Sequence, residues 1–528
     1  MLHTIVEGAR IFEGEGRAPS VTDLAIVGER IALIGDLRER DAVERIDGRG
    51  LALSPGFIDV HAHTDELWLV NPHCEGKILQ GVTTEIGGNC GSSVAPLRGL
   101  ARERKRDDAR AYGLEVEWEN LSEFFDLVSR AGVALNVATL VGLGTTRRSV
   151  RGDREGPLER EEFDAQTRLV REAVEAGALG VSSGLIYVPS RYADVTELVA
   201  CARAAREAGG PCYASHLRSE ADDLLEAVDE ALEVGRRADV RVQLSHHKAA
   251  YKRNWGKVNA SLERVARARA GGLDVVADVY PYVAMWTDLD TILPEDALFG
   301  GREAALERLR DPGTQTALAL RLELDWSESW GDIVVSTLAS ERNAELAGLH
   351  LDEIARRWRL PPARAALRLL IEERFGVQAI FFAMNEDDVA TVLSASFTCI
   401  GSDASARATS GPTARGVPHP RTFGCFPRVF GRFVRGRGTL ELAEAIRRMT
   451  SLPADAFGLS GRGRIEVGAY ADLVLFDPER IVDCATYEQP FAYPEGIRAV
   501  FVNGTAVARN GVPTRALPGR VLRRGHAT

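Results

Sequence analysis

The chain has 528 residues, too many for one ordinary domain, and this length predicts one large enzyme domain with a smaller companion. Hydrophobic residues make up 45% and charged residues 27% of the chain, a balance that is typical of a globular protein and argues against a disordered one. The net charge of -11, without a long lysine or arginine block, argues against nucleic acid as the main partner.

Targeting signals and disulfides are not indicated by the sequence. Residues 1–16 lack the charged and then apolar layout of a signal peptide, and no apolar run is long enough to span a bilayer. We therefore expect a cytoplasmic protein without a membrane partner, and the composition leaves its oligomeric state open. The seven cysteines are odd in number and include no CxxC pair, so they are expected to be small buried hydrophobes unless their surroundings indicate chemistry.

The two ends of the chain differ in pattern from its middle. Residues 1–54 alternate apolar and polar side chains in short runs broken by turns, which predicts strands. From Gly56 onward, β-rich segments alternate with helical stretches, and this alternation predicts a parallel sheet. Eight such segments occur, at residues 56–63, 81–88, 133–142, 178–185, 211–218, 240–248, 273–282 and 397–403. Eight repeats predict a (β/α)8 TIM barrel.

The domain organisation follows from the spacing of these segments. The gap between the seventh and eighth is too long for one helix, so an inserted segment is predicted between barrel strands 7 and 8, at about residues 286–390. The chain turns β-rich again after residue 463. We therefore expect an α/β protein with a metal-dependent barrel over residues 55–463 and a small β-sandwich built from both ends, residues 1–54 and 464–528.

Several of the predicted strands end in residues that can bind a metal ion. Active sites of such barrels gather at the C-terminal ends of the strands. Strand alternation in the first segment, GFIDVHAH, puts His61 and His63 on one face, where two imidazoles can bind one metal. Further candidates end other segments: His216, the pair His246 and His247, and Asp403. Their shared placement predicts a metal site.

A single cysteine follows the second segment in the glycine-rich run GGNCGSS. From the residues alone, Cys90 could be a packing residue, half of a disulfide, a nucleophile or a metal ligand. The odd cysteine count and the reducing compartment argue against the disulfide. The other three roles stay open at this point.

Longer motifs resemble those of the N-acyl-D-amino-acid deacylases (D-aminoacylases), which form a family within the amidohydrolase superfamily. The matching stretches include PGFIDVHAHTDE, QGVTTEIGGNCGSSVAP, SHLRSE, LSHHKAAYKRNWGKV and HPRTFGCFPRVFGRFVR, and the similarity runs from Pro55 to about Pro478. The HxH motif identifies only the superfamily. The GGNCG and HPRTFG stretches are narrower and indicate the deacylases.

The resemblance implies two metal positions. One would be held by His61, His63 and Asp403, and the other, with the tightly bound zinc, by Cys90, His216 and His246. Many other amidohydrolases bridge two metals with a carboxylated lysine, whereas these deacylases use the cysteine. A thiolate suits zinc, and three protein ligands leave a coordination position for water. The implied cofactor is one tightly bound Zn²⁺, with occupancy of the other position left open.

The resemblance also implies the reaction, in which a small-molecule N-acyl-D-amino acid is hydrolysed to a carboxylate and a free D-amino acid. Zinc would polarise the carbonyl and acidify a water molecule. Asp403 would act as general base and then as general acid. Lys248, Tyr280 and Arg421 match positions that bind the substrate carboxylate. His246 is favoured over His247 by the resemblance alone, since alternation cannot choose between them.

The chain also departs from the family pattern. Leu143 stands where the family commonly has histidine, Ala404 follows Asp403 where glycine is common, and residues 405–421 form a longer stretch than usual. These positions are expected to border the pocket. Because of these differences, the sequence does not determine which acyl group and which amino-acid side chain the substrate carries. A specialised N-acyl substrate is an alternative to a common N-acyl-D-amino acid.

Two other functions can be compared with the residues of this chain. A cyclic-amide hydrolase of the dihydroorotase or hydantoinase kind would use the same barrel, but its bridging lysine comes from a barrel strand, and the third and fourth segments contain no lysine. A non-catalytic scaffold would have lost metal ligands, whereas this chain keeps all six. With the resemblance, we interpret Cys90 as a zinc ligand rather than as a nucleophile or a packing residue.

Overall fold

The structure is a computed structural model that describes residues 2–326 and 329–524. Its strands are β1 (Leu2–Ile11), β2 (Ser20–Val27), β3 (Arg30–Gly35), β4 (Ala42–Asp47), β5 (Ala52–Pro55), β6 (Phe57–Asp59), β7 (Val82–Gly87), β8 (Asn136–Thr139), β9 (Val141–Gly142), β10 (Gly180–Gly184), β11 (Cys212–His216), β12 (Arg241–Leu244), β13 (Val275–Val279), β14 (Met285–Asp288), β15 (Ile333–Leu338), β16 (Val377–Phe381), β17 (Thr398–Ile400), β18 (Leu473–Phe476), β19 (Ile497–Val502), β20 (Thr505–Arg509) and β21 (Val512–Pro513).

The α-helices are α1 (Leu67–Val70), α2 (Glu75–Ile78), α3 (Gly99–Arg110), α4 (Leu121–Ala131), α5 (Leu143–Arg151), α6 (Arg160–Glu175), α7 (Val195–Glu207), α8 (Leu224–Ala238), α9 (Lys257–Ala270), α10 (Gly301–Arg310), α11 (Pro312–Trp326), α12 (Leu351–Trp358), α13 (Pro362–Glu372), α14 (Glu386–Ser394), α15 (Arg421–Arg428), α16 (Leu442–Met449) and α17 (Ser451–Phe457). Short 3-10 helices cover Ser190–Tyr192, Lys252–Asn254, Leu289–Ile292, Glu295–Leu298, Trp330–Asp332 and Glu341–Leu346, and a π-helix covers Val429–Gly436.

Each of the eight predicted barrel segments contains an observed strand. These strands pair in parallel within two sheets, of order β6-β7-β8 and β9-β10-β11-β12-β13-β17. Only Leu140 separates β8 from β9, and a parallel bridge between Ala62 and Ala404 joins the residues that follow β6 and β17. Because the strands are parallel, their C-terminal ends face the same side of the molecule.

The middle of the chain follows its hydrophobic pattern. The sequence VVADV of β13 is buried along its whole length, as expected for a parallel strand covered on both faces. Helix α8 buries Leu224, Val228 and Leu232, which recur every four residues and form one apolar stripe. Within residues 2–326 and 329–524, no helix combines the length and the apolar composition needed to cross a membrane.

The two ends of the chain meet in one nine-stranded sheet. Its order is β21-β20-β19-β18-β5-β1-β2-β3, with β4 also paired to β1. The junction is antiparallel: Leu473 lies opposite Pro55, and Phe476 lies opposite Ala52. Strands from residues 2–55 and 473–513 are therefore hydrogen-bonded to each other.

The residues between β13 and β17 build a separate antiparallel sheet. Its order is β14-β16-β15, and helices α10 to α13 lie in the same stretch of chain. This part has an apolar core of its own, which includes Leu306, Leu322, Leu367 and Phe381. Strand β14 reaches the C-terminal end of β10, because the hydroxyls of Thr287 and of Tyr187, three residues after β10, share a 2.8 Å hydrogen bond.

A buried ion pair fixes the end of β6 against the end of β17. Nζ of Lys77 lies 2.6 Å from Oδ2 of Asp59 and 2.8 Å from Oγ of Ser402, and it also donates to the carbonyl of Ala404 at 2.9 Å. The backbone N–H of Ser402 donates to Oδ1 of Asp59 at 2.9 Å. Asp59 therefore positions the chain that carries the histidines of the HxH motif.

Candidate metal centre and active site

Six predicted ligands converge at the C-terminal ends of the parallel strands. Ligand atoms that lie within 4.8 Å of one another are contributed by His61, Cys90, His246 and Asp403. A second group within the same limit consists of His216, Glu220 and His246. The sixth predicted ligand, His63, adjoins the first group, since its Nε2 lies 3.0 Å from Oδ1 of Asp403. The structure therefore brings all six together, and it adds Glu220.

Cys90 sits in a tight turn after β7 that depends on its neighbouring glycines. Its backbone has φ of 51°, and those of Gly88 and Gly91 are 71° and 75°. A Cβ atom on Gly88 would lie 2.1 Å from the carbonyl oxygen of Leu140, so no side chain fits there. The turn aims Sγ of Cys90 at the cluster, 3.2 Å from Nε2 of His61 and 3.4 Å from Nε2 of His246.

Asp278, at the fourth position of β13, orients two of these histidines. Its carboxylate lies 3.2 Å from Nδ1 of His61 and accepts the backbone N–H of His246 at 2.9 Å. It also accepts from the side-chain amide of Gln243 at 2.6 Å. A carboxylate on one ring nitrogen leaves the other nitrogen free to bind a metal. Asp278 was not predicted from the sequence, although it stands two positions before Tyr280.

Asp403 follows β17 and faces both the histidines and an arginine. Its Oδ1 lies 3.0 Å from Nε2 of His63 and 3.5 Å from Nε2 of His61, while Oδ2 accepts from Nη2 of Arg421 at 2.8 Å. Burial raises the pKa of this carboxyl, but Arg421 and the histidines lower it more, to well below its usual range. Asp403 is therefore ionised and can accept a proton.

His216, the last residue of β11, is a buried imidazole whose ring nitrogens form no hydrogen bond within the described residues. The residue is 4% exposed, and neither ring nitrogen has a hydrogen-bond partner among the described residues. Its ring lies edge-on to that of His246, with 4.4 Å between centroids. Burial lowers the pKa of His216, so the ring is neutral. A neutral imidazole with an unused buried nitrogen fits a metal ligand.

The charge state of Cys90 fits the same interpretation. Burial raises the pKa of the thiol, but His61 and His246 lower it more, and the net pKa lies well below that of an ordinary cysteine. This lowering favours the thiolate, the form that binds zinc. One thiolate and two imidazoles, from Cys90, His216 and His246, match the donor set of a zinc site with an open position. The residues present fit zinc.

Comparison with known proteins places the chain in a family. A family model described as "Amidohydrolase family" matches residues 44–508. The chain belongs to the amidohydrolase family. It is 37% identical over 528 residues to the N-acyl-D-glutamate deacylase of Alcaligenes xylosoxydans xylosoxydans, covering 99% of this chain and 97% of that protein. It is 35% identical over 521 residues to the D-aminoacylase of the same organism, covering 98% and 97%.

A solved structure of the N-acyl-D-glutamate deacylase from Bordetella bronchiseptica resembles this amidohydrolase throughout. The identity is 34% and the TM-score 0.85, over 99% of both chains. That protein is complexed with zinc and with a phosphonate inhibitor that mimics the tetrahedral intermediate. The comparisons confirm the predicted resemblance to N-acyl-D-amino-acid deacylases, the prediction of an amide-hydrolysing enzyme, and an α/β fold of the TIM-barrel type.

Glu220 is a residue of this amidohydrolase site that the sequence analysis missed. Its Oε1 lies 2.8 Å from Nδ1 of His246 and 2.5 Å from Nζ of Lys248, and its Oε2 lies 3.7 Å from Nε2 of His216. Burial raises the pKa of this carboxyl, but Lys248 and the two histidines lower it more, so it is ionised. The only signal in the sequence is the spacing, four residues after His216 in SHLRSE.

The three residues predicted to bind the substrate carboxylate lie around one ring. The guanidinium carbon of Arg421 is 4.4 Å from the ring centroid of Tyr280, and Nζ of Lys248 is 5.7 Å from it. Arg421 is 1% exposed, and its Nε and Nη1 have no hydrogen-bond partner in the described part of the chain. Lys248 is instead engaged by Glu220. Arg421 therefore has unused donors for an anion.

Of the adjacent residues His246 and His247, only the first contributes a ligand atom to the metal-binding cluster of this amidohydrolase. His246 lies in it, whereas Nε2 of His247 lies 2.7 Å from Oγ of Ser261, outside it. Burial lowers the pKa of His247 to about 4, so it is a neutral structural residue.

Two of the residues that depart from the family pattern are placed as follows. Leu143 begins α5 and is 3% exposed. Ala404 forms the bridge to Ala62.

Proposed function

We propose that this chain is a zinc-dependent deacylase that hydrolyses the amide bond of N-acyl-D-amino acids, releasing a carboxylate and a free D-amino acid. One observation carries the proposal: ligand atoms of His61, Cys90, His246 and Asp403 lie within 4.8 Å of one another, and Asp403 is itself paired with Arg421. Full-length similarity to an N-acyl-D-glutamate deacylase and a D-aminoacylase supports it.

Cys90, His216 and His246 would hold the tightly bound zinc. This set is supported by the buried ring nitrogens of His216, which form no hydrogen bond within the described residues, and by the lowered pKa of the Cys90 thiol. His61, His63 and Asp403 would hold a second ion where one is bound. When bound, zinc supplies Lewis acidity that polarises the scissile carbonyl and acidifies water.

Asp403 would be the catalytic proton carrier. Its Oδ1 lies 3.0 Å from Nε2 of His63, and as an ionised carboxylate it would take a proton from the attacking water. The same oxygen would then donate the proton to the departing amide nitrogen. No covalent intermediate with the chain is needed, because the nucleophile is water.

Arg421, Tyr280 and Lys248 would bind the free α-carboxylate. The two unused nitrogens of Arg421, Nε and Nη1, can each donate a charge-assisted hydrogen bond to an anion. Tyr280 packs against that guanidinium and limits its movement. Lys248 adds positive charge near the same ring, and its Nζ lies 2.8 Å from Nδ1 of His246 and 2.5 Å from Oε1 of Glu220.

For the fold, we propose that the two parallel sheets form one closed eight-stranded barrel. The continuity of β8 with β9 and the bridge between Ala62 and Ala404 support closure. The barrel domain would span residues 55–463 with its insertion at about 286–390. Residues 1–54 and 464–528 would form the β-sandwich domain. The cytoplasmic location stays a prediction of the sequence.

The experiment that tests this function is a screen of N-acetyl-D- and N-acetyl-L-amino acids with zinc-loaded protein, scored by released amine. We expect hydrolysis of D-compounds, its loss after removal of zinc with a chelator, and its return when zinc is added. Hydrolysis of L-compounds alone would refute the D stereochemistry. Hydrolysis of hydantoin or dihydrouracil, with none of the N-acyl compounds cleaved, would indicate the cyclic-amide reaction instead.

A further inference from the structure

Arg407 is a buried cation that has no acidic partner within residues 2–326 and 329–524. The residue is 5% exposed, and within the described ranges no carboxylate forms an ion pair with it. Its Nη1 donates to a backbone oxygen, the carbonyl of Arg415, at 3.0 Å. Its Nε has no hydrogen-bond partner among the residues that the structure describes. Because buried arginines are normally paired, this guanidinium is an unfilled place for an anion.

The indole of Trp286 lies close to both Arg407 and Arg421. Their guanidinium carbons are 5.0 Å and 6.0 Å from its ring centroid. Nε1 of Trp286 is itself buried and without an acceptor in the described part of the chain, as are Nε and Nη1 of Arg421. Three neighbouring side chains thus hold N–H donors that lack acceptors.

This group of donors adjoins the reaction site. Nη2 of Arg421 donates to Asp403 at 2.8 Å and to the carbonyl of Trp286 at 3.4 Å. Arg407 follows Asp403 by four residues, in the stretch 405–421 that departs from the family pattern. A molecule whose α-carboxylate is held by Arg421 would therefore meet a second guanidinium near the same indole.

We propose that Arg407 and Trp286 form a subsite for the side-chain carboxylate of the substrate, and that the substrate is an N-acyl derivative of an acidic D-amino acid, D-glutamate or D-aspartate. This rests on the proposed function. A carboxylate satisfies the guanidinium with charge-assisted hydrogen bonds. An uncharged amide of the same shape leaves a buried cation uncompensated, which is the kind of difference that gives strong discrimination.

The test compares isosteric substrate pairs on the zinc-loaded full chain: N-acetyl-D-glutamate with N-acetyl-D-glutamine, and N-acetyl-D-aspartate with N-acetyl-D-asparagine. We expect kcat/KM to be on the order of 100-fold higher for the acid of at least one pair. Arg407→Gln should lower that ratio to about 1, and Arg407→Lys should restore part of it. Arg415→Gln is the matched control in the same loop, because it keeps the backbone carbonyl that Arg407 contacts, and it should preserve the ratio.

Two results would overturn the subsite: equal kcat/KM for acid and amide in the unmodified protein, or a preference that survives in Arg407→Gln. Should Arg407→Gln fail to fold, Trp286→Phe decides, since it keeps an aromatic ring and removes the indole N–H together with the smaller ring that carries it. An unchanged ratio would count against the proposal. If the side-chain amide and side-chain acid substrates are hydrolysed at equal rates, the subsite is refuted but the proposed deacylase function is not. Failure to hydrolyse any N-acyl-D-amino acid refutes the proposed function, and the subsite with it.

Discussion

The carboxylate of Glu220 lies 2.8 Å from Nδ1 of His246, and Nε2 of the same ring faces the sulfur of Cys90 at 3.4 Å. A metal-binding histidine is oriented by the partner of its other ring nitrogen. Glu220 therefore turns His246 so that Nε2 points into the cluster. Lys248, 2.5 Å from the same carboxylate, holds Glu220 in place.

Replacing Glu220 should weaken zinc binding without changing a ligand. Glu220→Gln removes the charge that orients His246, and we expect zinc affinity to fall by about 10- to 100-fold. Competition with a chromophoric chelator measures the affinity directly. Glu226→Gln, on the exposed side of α8, is the matched control and should bind zinc like the unmodified protein. Unchanged affinity in Glu220→Gln would mean that Glu220 does not position His246.

Asp403→Asn should separate catalysis from tight zinc binding. The amide cannot take up the proton, so kcat should fall by about 10²- to 10⁴-fold. The tight zinc should remain, because Cys90, His216 and His246 are its proposed ligands. The measurements are steady-state kcat and the zinc content of dialysed protein. A variant with nearly full kcat, or one that loses the tight zinc, would contradict these roles.

Removing Lys77 should destabilise the fold. Lys77→Met leaves the carboxylates of Asp59 and Glu85 buried without their cation, since Nζ lies 2.6 Å and 3.5 Å from them. Breaking a buried pair in this way costs about 3–5 kcal/mol. Denaturant unfolding measures the loss, with Lys252→Met at an exposed position as the control. A loss below about 1 kcal/mol would show that the pair is not needed to hold β6 against β17.

Arg421→Lys should impair recognition of the substrate carboxylate. Lysine keeps the charge opposite Asp403 but loses the paired donors, so kcat/KM for an N-acetyl-D-amino acid should fall by about 10- to 100-fold. The corresponding N-acetyl-D-amino acid amide, which has no carboxylate, should lose much less. Equal losses for acid and amide would indicate that Arg421 acts only through Asp403.

The positions of the strands were predictable because their signals are local. Apolar runs bounded by turns mark all eight parallel segments, and the potential ligands stand at the ends of those segments. The choice between His246 and His247 was not predictable from alternation. His246 has φ of 35°, outside the strand region, so alternation no longer tells which side chain faces the cluster. Cys90 and Asp403, with φ of 51° and 50°, leave their strands in the same way.

Residues that act across strands were missed for a different reason. Asp278 contacts His61 from 217 positions away in the chain, and Glu220 contacts His246 from a neighbouring strand end. Neither contact has a spacing that repeats in the sequence. The unpaired state of Arg407 is likewise a property of three-dimensional packing, since it depends on which acids are absent from its surroundings.

The most direct test of the zinc site is X-ray absorption at the zinc edge of protein loaded with one equivalent of zinc. The account predicts one sulfur neighbour at about 2.3 Å together with imidazole nitrogens at about 2.0–2.1 Å, and loss of the sulfur in Cys90→Ser. Cys484→Ser, a change at a cysteine outside the cluster, should leave the spectrum unchanged. A first shell of nitrogen and oxygen alone in the unmodified protein would contradict the assignment of Cys90 as the zinc ligand.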